Sequence, residues 1–415
     1  ANSSGKSSIL QPLLLLKQTL EASFDPGPLL LHGPNVRFSS VQQLCSWSGR
    51  EGSAAEFCVG LELGNGLRFR EVFRRDEANQ LQIGSTAITL LGREWFISPD
   101  MTTEEALETA RRRFGPILRY WQERGLEPIE WAIDRNRCFL ELRLFVGQQG
   151  RKERSEFALG VEPEPLQFVQ KALREIIHVP GVRGNPERTY HRTGAIGPLF
   201  PGRFDNYVAS VIHHWQQRSD PRLRELEDAL QNLGLTSAIR SKAVDDISVE
   251  LHVGRIAEAG SKESNDLDNI ADVGFGVSQV LPVLVALLAA EPNQLVYIEQ
   301  PELHLHPRAQ VALADELVRA AKRGVRIVIE THSSLILLGV QTAVAERRLP
   351  SNLVKLHWFT RNPRSGGTTV VSSDLDDTGA FDEDWPEDFA DVTLELEGRY
   401  LNAATLRTES SKESL

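Results

Sequence analysis

Two apolar runs that end in polar tips constrain this chain more than any other feature. Leu295-Val296-Tyr297-Ile298 closes on Glu299-Gln300-Pro301-Glu302, and Val325–Thr331 closes on His332-Ser333-Ser334. Apolar runs of this kind read as strands buried on both faces, as in parallel sheets covered by helices. Ligands in such sheets sit beyond the carboxyl ends of the strands, so both tips are candidate site positions. Glu299 is suited to hold a magnesium ion, directly or through water, and His332 to donate a hydrogen bond to a phosphate. The structural alternatives are a solvated acidic turn and a strand-end histidine that merely packs.

Two further segments suit an anion. Ala1-Asn2-Ser3-Ser4-Gly5-Lys6-Ser7-Ser8 ends like a phosphate-binding loop, G-x-x-x-x-G-K-[ST], whose first glycine would fall one position before Ala1. Backbone N–H groups of Ser3 to Ser7 can form a nest for phosphates at a helix N-terminus. Lys6 would then reach the β- and γ-phosphates, and Ser7 would ligate the metal. The apolar run Ile9–Leu16, with Pro12 in its first turns, fits a buried helix behind the loop. The other segment, Asp272-Val273-Gly274-Phe275-Gly276-Val277-Ser278-Gln279, is a glycine-rich turn opening a helix from Ser278 through Ala290. A small-residue turn and a flexible loop are the structural alternatives.

The order Lys6, Ser278 and Gln279, Glu299, His332 resembles ABC-type ATPases, particularly their SMC-, RecF- and OLD-like branches. Glu302-Leu303-His304-Leu305-His306-Pro307 and Ile329-Glu330-Thr331-His332-Ser333 are similar to the OLD-like branch. Gly184-Asn185-Pro186-Glu187-Arg188-Thr189-Tyr190 and Trp385-Pro386-Glu387-Asp388-Phe389 resemble a prokaryotic AAA-family group with a small C-terminal domain of unknown function. The resemblance implies an α/β fold: a P-loop ABC-type head with a mixed parallel core sheet, an antiparallel sheet, an α/β insertion and a small C-terminal appendage. It implies ATP and Mg²⁺ as cofactors, with Asn2, Ser3, Ser4, Gly5, Lys6, Ser7 and Ser8 binding the phosphates and Ser7 and Glu299 the metal. It implies that Gly276, Ser278 and Gln279 act in trans on the ATP of a second copy, giving a homodimer that sandwiches two nucleotides. His304–Arg308 would run along the dimer seam, a reading preferred over His304 and His306 as metal ligands because no third ligand is evident.

One position departs from that pattern. The residue after the acidic strand end is usually a water-polarising glutamate in hydrolysing relatives; here it is Gln300. A neutral amide cannot accept a proton, although a glutamine can orient water for phosphoryl transfer. The expectation is a slow ATPase using Gln300, Glu302 and His332, with Glu330 as another available carboxylate. The resemblance implies a DNA-linked, anti-phage role with a nuclease or other effector as partner. Two rivals are a nucleotide-gated scaffold without turnover and a metal-dependent nuclease. The nuclease rests on Asp374-Leu375-Asp376, which resembles the D-x-D of TOPRIM nucleases; an acidic capping tail is the preferred reading there.

Composition limits the alternatives. With 41% hydrophobic and 25% charged residues among 415, the chain is an ordinary globular polypeptide. A net charge of −11 argues against general nucleic-acid coating. The 3 cysteines, Cys45, Cys58 and Cys138, are widely spaced, as suits a reducing, cytoplasmic compartment, and form no zinc motif. The longest apolar run, Val280–Ala290, contains Pro282 and is too short to span a bilayer, so no membrane partner is expected. The only methionine is Met101. The expectation is therefore a chain cut within its phosphate loop, whose preceding strand lies upstream and which binds nucleotide poorly by itself.

The expected organisation is 1–100 as the first part of the head, 101–245 as an inserted region, 246–350 as the second part of the head, 351–404 as a small C-terminal domain and 405–415 as a disordered tail. Glu56–Leu91 alternates around Gly64-Asn65-Gly66 and predicts antiparallel strands, with Gln42 or Gln43 before it as a candidate magnesium-sensing glutamine. Thr102–Arg124 predicts a helix capped by Thr102 or Thr103, with Arg111-Arg112-Arg113 read as a solvated face. Glu130–Val146 predicts two strands. Leu166–Ile177, Arg203–Gln217 and Pro221–Leu233 predict helices, and Ile247–Ile256 a strand. In Gly181–Gly202, Arg183, Arg188, Arg192 and Arg203 surround Tyr190 and His191. That segment reads equally as a phosphate- or substrate-contacting arm or as a packed connector. Glu258–Asp268 reads as polar and mobile.

Overall fold

The computed structural model describes residues 5–45, 47–48, 52–102, 104–106, 108–109, 119–120, 123–124, 126–148, 158–161, 164–194, 197–254, 267–362, 366–381 and 398–401. Asn2, Ser3 and Ser4, Arg111 to Arg113, most of Glu258–Asp268, Trp385 to Phe389 and the expected tail lie outside them. The chain divides into two compact units. The first is Ala1–Pro180 with Ala195–Asn206 and Arg361–Thr368; the second is Gly181–Gly194 with Tyr207–Thr360 and Thr369–Leu415.

The first unit opens with a 3-10 turn, Ser7–Ile9, running into helix α1, Gln11–Glu21, with Pro12 in its first turn. Pro is tolerated there because a first-turn N–H has no intrahelical acceptor. Lys17 of α1 is fully buried; its ammonium donates to Glu21 Oε1 at 2.5 Å, the Arg174 carbonyl at 2.8 Å and the Phe200 carbonyl at 3.2 Å. These three acceptors match its three donors. Burial pulls its pKa down, and Glu21 opposes this. Strands β1 (Glu56–Glu62), β2 (Arg68–Arg75), β3 (Leu81–Leu90) and β4 (Arg93–Ile97) form an antiparallel sheet in sequence order. The Gly64-Asn65-Gly66 turn joins β1 to β2, with Gly66 at φ +77°.

Strands β5 (Leu126–Asn136), β6 (Phe139–Gln148) and β7 (Ala158–Val161) form a second antiparallel sheet, followed by helix α2 (Glu164–Arg174) and strand β8 (Ile177–Val179). Phe69 of β2 meets Phe139 of β6 edge-on, with ring centroids 5.6 Å apart. Arg137, in the β5–β6 turn, donates to the Thr19 and Ala22 carbonyls at the end of α1, where a cation complements the helix dipole. Thr102 and Glu105 form a reciprocal cap: Thr102 N–H donates to Glu105 Oε2 at 2.8 Å and Glu105 N–H to Thr102 Oγ1 at 3.3 Å. This is the expected N-terminal device.

Glu71 breaks the apolar pattern of β2. It sits between Phe69 and Phe73 on the inward row and is fully buried. Its cross-strand partner Thr86 donates to Oε1 at 2.8 Å, while Oε2 has no hydrogen-bond partner among the described residues. Burial pushes the Glu71 carboxyl well above the ordinary glutamate range. Folding therefore favours the protonated form, and the stability it contributes is lost as pH rises from the unfolded value through the raised folded one. Glu71→Gln is expected to flatten this dependence, so thermal melting from pH 5 to 9 should show the variant gaining on the wild type as pH rises. Parallel profiles would disprove an ionisable Glu71 as the cause.

In the second unit, helices α3 (Val208–Arg218) and α4 (Pro221–Asn232) follow a short turn, so the helix expected from Arg203 begins five residues later. Asp220 caps α4 by accepting the Arg222 N–H at 3.0 Å. Strands β9 (Ile239–Ala243), β10 (Ser248–Gly254) and β11 (Leu267–Asn269) form an antiparallel sheet with Tyr190–His191, β10 in the centre. Helix α5, Phe275–Ala289, is buried nearly all round. It starts three residues earlier than expected, because Gly274 is its N-cap and Phe275 and Gly276 are already helical.

Strand β12 (Leu295–Glu299), helix α6 (Pro307–Lys322) and strand β13 (Arg326–Glu330) form a parallel strand–helix–strand unit, in register from Leu295↔Arg326 to Glu299↔Glu330. Helix α7 (Ser334–Ala345) packs on α6, and β14 (Lys355–Arg361) and β15 (Thr368–Asp374) pair as a two-stranded sheet. Among the described residues, no helix is long and apolar enough to cross a membrane.

Candidate functional site

The second unit gathers several predicted residues at one strand end. Glu299 and Glu330 close β12 and β13 side by side. Tyr297, two residues before Glu299 and so on the same face of the strand, donates its phenol to Glu330 Oε2 at 3.0 Å. Burial first, and then the Glu299 and Glu330 charges, push the Tyr297 phenol well up, keeping it a neutral donor. Gln300 follows at φ +43°, a left-handed conformation unusual for a residue with a side chain, and its N–H donates to the Glu330 carbonyl at 2.6 Å.

The tight turn continues with Leu303 N–H to the Gln300 carbonyl and Leu305 N–H to the Glu302 carbonyl. Glu302 reaches across to the other strand tip: Oε2 accepts the Thr331 hydroxyl at 2.8 Å, and Oε1 accepts the His332 N–H at 2.7 Å. Ser333 caps α7 through the Ile336 N–H and donates to Gln310 Oε1 at 2.6 Å. Thus Glu299, Gln300, Glu302 and His332 are neighbours, and the position of His332 depends on the Glu302 carboxylate.

The glycine-rich turn lies in the same unit. The N-cap of α5, Gly274, contributes no side-chain hydrogen bond to the first turn, and a helix start of that kind suits an anion. Ser278 donates its hydroxyl to the Phe275 carbonyl at 3.0 Å. Gln279 is buried, and its amide donates to the Gly184 carbonyl at 3.2 Å. Phe275 is 53% exposed and lies near His304, which is left-handed at φ +65°. A cavity of about 240 Å³ beside this turn is lined by Gly234, Leu235, Thr236, Val253, Gly254 and the turn itself.

Gly5, Lys6, Ser7 and Ser8 belong to the first unit. Gly5 adopts φ +89°, and the Ser8, Ile9 and Leu10 N–H groups donate back to Gly5, Lys6 and Ser7. Gln43 accepts the Ser39 N–H at 2.9 Å, closing its own turn. His306 accepts the Arg308 N–H on Nδ1 as the N-cap of α6, which spends that lone pair structurally. Asp376 Oδ1 accepts the Thr378 N–H, the Thr378 hydroxyl and the Ala380 N–H, while Asp374 pairs with Lys355 at 3.2 Å. The D-x-D carboxylates are thus occupied by turn and ion-pair partners. Among the described residues, no group of three His, Cys, Asp or Glu is arranged to hold a metal.

Gly181 was not singled out from the sequence, and Arg183 was named there only with the other arginines of its segment. Gly181 N–H donates to Glu299 Oε2 at 3.0 Å, and a Cβ at Gly181 would lie 3.3 Å from Glu299 Cβ and 3.4 Å from Gln300 Oε1. Arg183, 7% exposed, donates to the Gln279 carbonyl at 3.0 Å and the Glu299 carbonyl at 2.9 Å. Arg188 pairs with Asp272 through its two terminal guanidinium nitrogens, and Arg203 with Asp205. Of the two readings of this segment, the geometry favours the packed connector. Arg183 was visible only as one arginine of a basic loop, because the carbonyls of Gln279 and Glu299 that it holds leave no side-chain signature.

Residues 192–338 match the family described as an AAA domain, putative AbiEii toxin, Type IV TA system. The chain is 27% identical over 207 residues to the Old nuclease of Escherichia phage P2, a match covering 41% of this chain and 35% of that protein. The chain thus spans about a third of the length of this relative. Two solved structures are similar at low identity: an SMC head bound to the C-terminal winged-helix domain of ScpA (12% identity, TM-score 0.44, 91% of this chain and 89% of that one) and the SMC head domain from Thermotoga maritima (9% identity, TM-score 0.34, 89% and 87%). Residues 192–338 therefore carry a domain that matches this AAA family.

Proposed function

We propose that this chain binds ATP with magnesium, pairs head-to-tail with a second copy over the nucleotide, and hydrolyses it slowly. The observation that carries the reading is the Glu299–Gln300–Glu302 turn holding Thr331 and His332 at the neighbouring strand tip. By the resemblance, Lys6 would reach the β- and γ-phosphates, Ser7 would be one magnesium ligand and Glu299 another. One hard carboxylate and one hydroxyl suit magnesium, which keeps several waters and takes its remaining ligands from phosphates. When bound, the ion neutralises charge on the phosphates. Glu302 fixes the backbone that carries His332 towards the γ-phosphate. Gln300 orients water without accepting its proton, which makes turnover slow. The uncapped start of α5, with Gly276 and Ser278, is suited to the nucleotide of the second copy; Gln279 supports that turn from inside.

The similarity to a nuclease supports a nucleic-acid-linked setting, and we extend it to DNA, phage defence and a nuclease or other effector as partner. Gln300 also sustains a second reading, a nucleotide-gated scaffold without turnover. The test is ATP binding, dimerisation and phosphate release by the full-length protein. Wild type is expected to bind and dimerise with slow release, and Lys6→Ala to lose binding. Gln300→Glu is expected to release phosphate about tenfold faster or more, in keeping with a gained general base. Equal fast release by wild type and Gln300→Glu would remove the slow-ATPase reading; no ATP binding by wild type would remove nucleotide chemistry altogether.

A further inference from the structure

The segment Gly181–Gly194 touches both candidate regions of the second unit. Its Gly181 N–H meets the Glu299 carboxylate, and the Arg183 guanidinium spans the carbonyls of Glu299 and Gln279. Gln279 returns a hydrogen bond to the Gly184 carbonyl. Farther along, Arg188 pairs with Asp272 directly before the glycine-rich turn, and Asn269 donates to the Arg188 carbonyl at 3.1 Å. Tyr190–His191 then pairs with β10, and the Thr193 N–H donates to Ser210 Oγ at 2.8 Å. The segment is therefore fixed at the acidic strand end, along both flanks of the glycine-rich turn and on a sheet edge.

We propose that Arg183 is a positioning residue that couples the Glu299 strand tip to the first turns of α5, so that a change at one is transmitted to the other within a single subunit. The proposal rests on the nucleotide-binding reading above. Its physical basis is the shape of the guanidinium. A planar fork with donors on separate nitrogens can hold two carbonyls at a fixed spacing, whereas a lysine ammonium is a point donor on a flexible stem. Both acceptors are backbone atoms, so the bridge reports the path of the chain rather than the identity of the side chains. Glu299 is engaged twice: by Arg183 at its carbonyl and by Gly181 at its carboxylate. Any ligand that draws the Glu299 carboxylate away from Gly181 thus acts on a residue whose backbone is already tied to α5.

The experiment is hydrogen–deuterium exchange on full-length wild type, Arg183→Lys and Arg183→Gln, each with and without magnesium and ADP, which occupies the site without a γ-phosphate to join two copies. In wild type, nucleotide is expected to slow exchange in peptides covering 295–303 and also 273–281. In both variants the first effect should persist and the second disappear, with exchange in 273–281 faster by about tenfold, the scale of one charge-assisted hydrogen bond. ATP turnover should fall at unchanged KM. Melting temperatures for Arg183→Lys close to wild type would separate coupling from folding. Nucleotide protection of 273–281 that survives in Arg183→Gln would overturn the coupling role. Absence of protection at 295–303 in wild type would instead overturn the nucleotide-binding reading, and the coupling role with it.

Discussion

Glu302→Ala is expected to lower ATP turnover by about 10²-fold, the scale of a misplaced catalytic group, while leaving nucleotide affinity nearly unchanged. Each Glu302 oxygen holds a different group of the neighbouring strand tip, Thr331 through its hydroxyl and His332 through its N–H. Removing the carboxylate frees both at once. It also loosens the Thr331 hydroxyl that accepts the Ser333 N–H at 2.9 Å, and Ser333 starts α7. Glu302→Gln provides the discriminating comparison. It keeps an oxygen for one of the two donors, so it should retain much more activity than alanine. A proton-accepting Glu302 would lose as much with glutamine as with alanine. Equal damage in steady-state phosphate release would therefore assign Glu302 to proton transfer instead of positioning.

Gly379→Ala is expected to destabilise the protein by about 3 kcal/mol or more, the range reached when packing cannot relax. Gly379 is left-handed at φ +78°, and a Cβ there would fall 2.3 Å from the Gln341 carbonyl oxygen of α7. The obstacle is helix backbone, which has no rotamer to yield. The turn is held on its other side by the Asp376 carboxylate, and Gln341 donates to the Gly379 carbonyl at 2.9 Å. Below it lies a core cluster of Val318, Ala343, Val344, Leu349 and Leu375. Gly234→Ala is the control: its φ is +71°, but nothing lies within 4 Å of the added carbon. It should cost only about 1 kcal/mol of backbone strain. Equal losses for the two in denaturant titrations would disprove the steric account.

The elements most legible in the sequence were those whose pattern is local. Unbroken apolar runs gave β12 and β13, alternation around Gly64-Asn65-Gly66 gave the first antiparallel sheet, and Thr102 with Glu105 announced its cap. The tips of the two strands also announced Glu299, Gln300 and His332 as candidates. The Glu302 bridge was less accessible, because it joins residues thirty positions apart through a backbone N–H. Arg203–Tyr207 has a helical composition but does not extend α3, and Phe275-Gly276 has a loop composition but lies within α5, where Gly274 takes the N-cap. Gln279 looked like a surface contact by its place in the motif. Its neighbours turn its amide inward, which no single-residue property reveals.

The Arg183 bridge has an evolutionary consequence. Because it grips two carbonyl oxygens, which every amino acid carries, the side chains at 279 and 299 can drift without disturbing it. These two contacts therefore impose no side-chain requirement at 279 or 299 with which Arg183 would covary. Across relatives it should behave as a fixed position whose importance is invisible to coevolution methods, and mutational scanning would detect it where paired-substitution statistics would not.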